Sequence, residues 1–184
     1  TMTLERAKEI LESKEFFEFM MKYELMDLVA RKGKAPGGYQ TSFPLYKSPF
    51  IFSNFNGTQH DVNVLCHEGG HAFQCYLSSG IKIPEYQQPT LESCEIHSMS
   101  MEFFAWPYMD SFFGKDAEKY KYSHLADSIE FLPYGATIDE FQHWVYENPD
   151  ATHEQRCAKF HEIELKYTPH KKYEIGRASC RERV

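Results

Sequence analysis

The residues best suited to chemistry in this sequence form the run His67-Glu68-Gly69-Gly70-His71. On a helix, side chains four residues apart lie on one face about 6 Å apart, so His67 and His71 could bind one metal ion together. A carboxylate beside such a pair can take a proton from a water molecule that the metal has activated. The run therefore predicts a zinc site in which Glu68 is the general base.

The surrounding sequence predicts a helix with two different faces. At 100° per residue, His67 and His71 face nearly opposite to an apolar group, which consists of Val62, Leu65, Gly69, Ala72, Phe73 and Tyr76. Gly69 and Gly70 each cost a helix about 1 kcal/mol relative to alanine. Two adjacent glycines are best tolerated where a neighbouring backbone or a ligand comes close, and we expect such an approach here.

A third metal ligand could come from the next predicted helix, which begins near Thr90. A carboxylate there would complete a set of two histidines and one glutamate and leave the fourth zinc position open. Spacing alone does not choose among the candidates, which are Glu92, Glu95, Glu102 and His97. An ordinary solvated helix face, with Glu68 as a surface carboxylate, is the alternative interpretation of the histidine pair.

Helices dominate the elements that must position these residues, and one small β element accompanies them. Short strands are predicted at residues 39–43 and 49–55, on either side of Pro44 and Pro49. Asp61 is the expected N-cap of the histidine helix, and Pro107 must end or kink the helix after it. The predicted helices cover residues 3–30 (divided at Ser13), 61–79, 90–107, 116–130, 135–147 and 152–167, the last of which opens with a Thr152–Gln155 capping box.

Composition excludes several classes of function. The 184 residues carry 20 Lys and Arg against 27 Asp and Glu, a net charge of −7, and no basic stripe favours nucleic acid. No apolar run approaches the roughly 18 residues of a membrane span. The five cysteines form no CxxC pair, which argues against a disulfide framework and a thiolate zinc site and indicates the reducing cytoplasm.

Residues 64–74 and 94–103 resemble the zinc core of the thimet oligopeptidase and oligoendopeptidase F family, most closely its bacterial oligoendopeptidase F branch. Residues 32–39, 48–58 and 141–149 are also similar, so the resemblance covers residues 20–174. It implies that the first glutamate of an E-x₆-E pattern is the third zinc ligand, which falls on Glu95. Glu102 is the second glutamate, and we expect it to support the metal site without binding the metal, by contacting one of the ligands.

The resemblance implies a mainly α, zincin-like metallopeptidase core with a small β element, truncated from a larger, bowl-shaped helical enzyme. We expect a partial catalytic core at residues 1–174 and a non-native tail, foreign or frame-shifted, at residues 175–184. Family members take the Tyr and His that stabilise the reacting carbonyl from beyond the point where the match stops. Within this chain, Tyr39, His97 and His143 remain candidates for that role.

The resulting hypothesis is a cytoplasmic endopeptidase that binds one zinc ion and cleaves internal bonds of short peptides, the substrates that the resemblance implies. The strand 50–55 could bind peptide backbone as an added strand, with Phe52, Ser53 and Asn54 as substrate-binding candidates. One alternative is a catalytically incomplete zinc-binding fragment or peptide-binding module. Another is a metallo-exopeptidase, which needs a fixed charge for a peptide terminus, and no motif here identifies one.

Overall fold

A computed structural model describes residues 14–170, which fall into two units divided between Ala117 and Glu118. The predicted helix before Ser13 and the tail at residues 175–184 lie outside the described residues. The first unit contains α1 (Glu15–Lys22), β1 (Met26–Val29), β2 (Tyr39–Phe43), β3 (Ser48–Phe55), α2 (Gln59–Ser78), α3 (Cys94–Phe104) and α4 (Asp110–Phe113). α5 (Ala117–Glu147) begins at this division, and its remaining residues form the second unit together with α6 (His153–Tyr167).

The fold is mainly helical with one small sheet, as the sequence predicts. The three strands are ordered β1-β3-β2, with β1 parallel and β2 antiparallel to the central β3. The two predicted strands are β2 and β3, which form a hairpin closed by the 3₁₀ turn Pro44–Tyr46. No described helix has both the length and the apolar character that crossing a membrane requires.

The predicted helix over residues 3–30 is wrong in its second half. α1 ends at Lys22, and Glu24 adopts a positive φ of 53° that turns the chain. Met26–Val29 then becomes a strand beside β3, where Met26 and Leu28 pack against the core. Strand pairing and burial therefore outweigh the helical preference that the apolar spacing of this segment indicates.

The core of the first unit joins α1, β3 and α2. Phe16 and Met20 from α1, Ile51 from β3 and Ala72 from α2 are each at most 2% exposed. Phe73 also packs against this cluster. The predicted apolar side of α2 is confirmed at these positions, so the side that carries the two histidines is left to face α3.

Helix ends follow local hydrogen bonding. Thr58, not Asp61, is the N-cap of α2, and Asp61 occupies the third helical position. Its carboxylate accepts the backbone N–H groups of Asn56, Gly57 and Thr58 at 2.7–3.2 Å. The predicted N-cap is therefore wrong by three residues, because a carboxylate at this position also satisfies unpaired N–H groups of a helix start. α3 ends before Pro107, as expected.

In the second unit, α5 is one helix of 31 residues with Pro133 inside it. The predicted break between residues 130 and 135 is therefore wrong, because a long helix can lose one backbone hydrogen bond without ending. α6 begins with the predicted capping box, in which the Thr152 N–H donates to the Gln155 side chain at 2.8 Å. α5 and α6 contact each other through Phe141 and Phe160, whose ring centroids lie 5.2 Å apart.

Candidate metal centre

Two helices bring three potential ligands together. α2 carries His67 and His71, and the first turn of α3 carries Glu95. Glu95 Oε2 lies 3.0 Å from His67 Nε2 and 3.3 Å from His71 Nε2. One ligand atom from each of the three residues lies within 4.8 Å of the other two. The structure thus brings together the three residues that the sequence and the family resemblance select.

The other ring nitrogen of each histidine is also engaged. His67 Nδ1 lies 2.7 Å from Glu102 Oε1, and His71 Nδ1 lies 3.0 Å from His97 Nε2. Histidines that bind a metal through Nε2 characteristically donate the Nδ1–H to a neighbouring acceptor, which fixes the ring and its tautomer. Both histidines therefore aim Nε2 towards Glu95, and Glu102 lies where the resemblance implies.

Gly70 explains how α3 comes so close to α2. A Cβ at residue 70 would lie 2.6 Å from Ser98 Cα and 2.7 Å from the His97 carbonyl oxygen. Only glycine fits between the two backbones, and the expected close approach is confirmed at this position. At Gly69, by contrast, no described atom lies within 4 Å of such a Cβ.

Glu95 is held in its ionised form. Burial alone would raise its pKa, but the hydrogen bond from Ser98 and the neighbouring His71 outweigh burial and lower the pKa below its ordinary value. The Ser98 hydroxyl donates to Glu95 Oε2 at 2.6 Å, and Ser98 itself is fully buried. A carboxylate that accepts such a bond is oriented as well as charged, which suits a metal ligand.

Glu68 is half-buried beside the ligand pair. Burial raises the pKa of its carboxyl above the ordinary value, while His67, His71 and a hydrogen bond from the Gln40 backbone oppose this rise. A carboxylate whose pKa is raised towards neutrality is a better proton acceptor for catalysis at neutral pH. Gln40 lies on β2, so the hairpin also positions this glutamate.

The donor set fits zinc. Two imidazole nitrogens and one carboxylate oxygen at tetrahedral angles about 2.0–2.2 Å from one ion would lie about 3.3–3.5 Å apart. The separations of 3.0 and 3.3 Å between Glu95 and the two histidines are close to that requirement. Two thiols next to the ligands in sequence are held protonated. Burial, aided by the charge of Glu102, raises the pKa of Cys66 to about 11, and burial together with Glu95 raises the pKa of Cys94.

The remaining candidates lie elsewhere or have other contacts. Glu92 is exposed, and the three-ligand group found among residues 14–170 does not include it. His97 contacts His71 rather than Glu95. Tyr39 stacks on Phe52 with centroids 4.9 Å apart. His143 is exposed on α5 in the second unit, with its Nε2 3.9 Å from Asp139.

At Phe52, β3 cannot bind a peptide as an added strand. Phe52 is paired with β1 on one side and β2 on the other, so its backbone has no free edge. Ser53 is buried, and the Asn54 side chain donates to the carbonyl oxygens of Ala35 and Gly37. These side chains hold the loop before β2, and the edge strands of the sheet are β1 and β2.

Three contributors to the site escaped the sequence analysis. The sequence offers His97 as a ligand or a donor to the substrate, not as the partner of His71. It predicts no role for Ser98 or Gln40. The only available signal was the spacing of Ser98, three residues after Glu95, because such a hydroxyl can reach the preceding turn.

A helix with two histidines and an intervening glutamate, followed by a helix that supplies a further glutamate, is the arrangement of the HExxH metallopeptidases. The chain belongs to peptidase family M3, whose sequence profile matches residues 9–182. A comparison with curated protein sequences found no match.

Solved structures agree with this assignment. An oligoendopeptidase F structure from Bacillus anthracis str. Ames is 59% identical with a TM-score of 0.81 and covers 89% of this chain. PZ peptidase A, solved with an inhibitor, is 59% identical with a TM-score of 0.83 over 92% of the chain. A further oligoendopeptidase F structure is 57% identical with a TM-score of 0.83 over 93%. This chain spans 30% of the length of each of these relatives.

Proposed function

We propose that this chain is the zinc-binding core of a cytoplasmic endopeptidase that cleaves internal bonds of short peptides. The observation that carries the proposal is the convergence of His67, His71 and Glu95, with Glu68 beside them. Membership of a metallopeptidase family supports the reaction class, and the oligoendopeptidase F relatives support endopeptidase action on peptides. The absence of CxxC pairs is consistent with a reducing compartment.

His67 and His71 would bind one zinc ion through Nε2, and Glu95 would bind it through a carboxylate oxygen. When bound, zinc polarises the scissile carbonyl and makes a neighbouring water molecule more acidic. Glu102 would hold His67 in the tautomer that leaves Nε2 free for the metal, since it lies 2.7 Å from Nδ1.

Glu68 would move the protons. In this proposal its carboxylate takes a proton from the attacking water and then gives it to the leaving amine, which is the role of a general base followed by a general acid. The raised pKa of Glu68 supports the first step, because a stronger base accepts the proton more readily at neutral pH. The Gln40 backbone contact would keep the carboxylate in place between the two transfers.

The peptide would lie along the free edge of β2. β2 is an edge strand in the described sheet, and its residue Gln40 contacts Glu68. A peptide that pairs with this edge as an added strand would place its backbone beside the general base. Main-chain pairing would bind peptides of varied sequence, whereas side-chain pockets would set preference.

A catalytically incomplete zinc-binding fragment is the second candidate function. The chain spans 30% of the length of its relatives, so groups needed for turnover can lie in the remaining 70% of those proteins. Donors aimed at the developing oxyanion are such groups, and losing one typically costs 10²–10³ in rate, or about 2.7–4 kcal/mol.

An internally quenched peptide with both ends blocked distinguishes the two candidates, provided that zinc content is measured in parallel. Cleavage that depends on one zinc per chain supports the first, and stoichiometric zinc without cleavage supports the second. Glu68→Gln should keep zinc and lower any cleavage by about 10²- to 10⁴-fold.

Glu95→Gln should lose zinc, whereas Glu92→Gln, a matched change at an exposed glutamate of the same segment, should not. Full zinc affinity in Glu95→Gln would contradict the ligand assignment.

A further inference from the structure

We propose that His97 is a positioning residue for His71. The proposed function assigns no such role to His97, and this inference rests on the zinc site proposed there. His97 Nε2 accepts the Nδ1–H of His71 and so fixes the tautomer in which His71 offers Nε2 to the metal. The two nitrogens lie 3.0 Å apart, which is hydrogen-bond distance.

The positions of the hydrogens on the two rings determine the direction of the hydrogen bond between His71 and His97. One of two hydrogen-bonded ring nitrogens must carry the hydrogen, and the other must accept it. His71 Nε2 lies 3.3 Å from Glu95 Oε2 and would be the metal-binding nitrogen, so its proton belongs on Nδ1. His97 Nε2 is then bare, and the neutral His97 ring carries its own hydrogen on Nδ1.

The backbone of α3 keeps His97 in this place. Its carbonyl oxygen lies against Gly70, where even one Cβ would approach it to 2.7 Å. The next residue, Ser98, is fully buried and bonds back to Glu95. The His97 side chain therefore starts from a backbone that cannot slide along α2, and its ring meets the His71 ring edge-on at a centroid distance of 5.0 Å.

The two histidine ligands thus have different supports. His67 is held by the Glu102 carboxylate, whereas His71 is held by an uncharged ring. A divalent ion with the carboxylates of Glu95 and Glu102 forms a neutral set. A third carboxylate in the place of His97 would give this set a net negative charge. The imidazole fixes His71 without that charge.

This role also excludes two others for the same side chain. A nitrogen that accepts from His71 cannot bind the metal itself, and it has no hydrogen to donate to a substrate carbonyl. His97 is therefore neither the third ligand nor, through Nε2, the donor that stabilises the reacting carbonyl.

The test compares zinc affinities of the whole chain by competition with a chromophoric chelator. His97→Phe keeps a ring but removes the acceptor, and we expect its zinc affinity to fall about 10- to 100-fold. His97→Gln restores an acceptor oxygen near the position of Nε2 and should regain most of that loss. His60→Phe, the same change at an exposed histidine of α2, should match the wild type. Circular dichroism verifies that each variant folds.

A second measurement requires no variant. Long-range ¹H–¹⁵N correlation spectra of the zinc-loaded wild type should show His97 as the neutral tautomer protonated at Nδ1. A hydrogen on His97 Nε2 would overturn the assignment, even if His97→Phe did not fold.

The outcomes also separate this inference from the function on which it rests. A wild-type chain that binds no zinc would overturn the proposed function and this assignment with it. A wild type that binds zinc, together with equal affinity in His97→Phe, would overturn the positioning role alone. Equal loss in His97→Phe and His97→Gln would also overturn it, because the acceptor would then not be what matters.

Discussion

Gly70→Ala should damage the metal centre without touching any ligand. The new methyl group would lie 2.6 Å from Ser98 Cα, whereas ordinary contact begins near 3.4 Å. The two backbones must therefore separate locally by about 0.8 Å, which exceeds the roughly 0.5 Å within which a functional site must be held. Because Glu95 lies on α3 and the histidines on α2, the separation would lengthen the distances between them.

The energetic effect has two parts of opposite sign. Overpacking of this kind costs about 1–3 kcal/mol, whereas alanine in place of glycine inside a helix contributes about 1 kcal/mol. We expect Gly70→Ala to lower the free energy of unfolding by up to about 2 kcal/mol. Zinc affinity should fall about tenfold or more, a loss of the scale seen when the support of a metal ligand is disturbed.

Gly69→Ala is the matched control. No described atom would contact its methyl group, so only the gain in helix propensity remains. The free energy of unfolding of this variant should exceed that of the wild type by about 1 kcal/mol, so it should unfold at a higher urea concentration. It should bind zinc normally. Urea unfolding of the metal-free chains and zinc titrations provide both readouts. If Gly70→Ala matched Gly69→Ala in both, the close approach of the helices would not be what positions Glu95.

Two further predictions concern Glu102 and Pro133. Glu102→Gln should bind zinc about 10- to 100-fold more weakly, since His67 loses its charged partner; unchanged affinity in a chelator competition would contradict that role. Pro133→Ala should raise the thermal unfolding temperature, because the restored N–H can bond within α5, and a helix-interior proline costs about 3 kcal/mol. A lower unfolding temperature would show that the surroundings of α5 depend on the proline ring.

Local patterns in the sequence predicted the parts of the site that depend on one helix. The spacing of His67 and His71 and the apolar side of α2 require only the helical period, and both appear in the structure. The capping box at Thr152 is equally local and is confirmed. Such features depend on neighbours within four residues, so one sequence contains all the information that they need.

Features that depend on distant partners could not be predicted in the same way. β1 forms because Met26–Val29 pairs with β3, about 25 residues away, and nothing within the segment itself indicates a strand. The family resemblance implies Glu95 rather than Glu92 as the third ligand, and the structure brings Glu95 close to both histidines. Gly70 and the buried Ser98 fix where α3 meets α2, and this contact turns Glu95 towards the histidines.

The loop that leads into β2 offers a last prediction, on the dependence of stability on pH. The Asp27 carboxylate accepts two hydrogen bonds from Arg31, at 2.8 and 2.7 Å, and one from Lys34 at 3.0 Å. The Lys34 side chain is only 2% exposed, and its ammonium also donates to the carbonyl oxygens of Asp27 and Val29. These contacts fix the start of the loop before the strand that carries Gln40.

The hydrogen bonds from Arg31 and then Lys34 hold the pKa of Asp27 well below its ordinary value. As pH falls below about 4, Asp27 of the unfolded chain takes up a proton while the folded chain does not, so folding stability falls in that range. Asp27→Asn lacks this proton uptake. It should be clearly less stable than the wild type at pH 7, and the gap should narrow at pH 3. Urea unfolding at both pH values measures it, and a gap that stayed constant or widened towards acid would show that Asp27 does not depend on these partners for its charge.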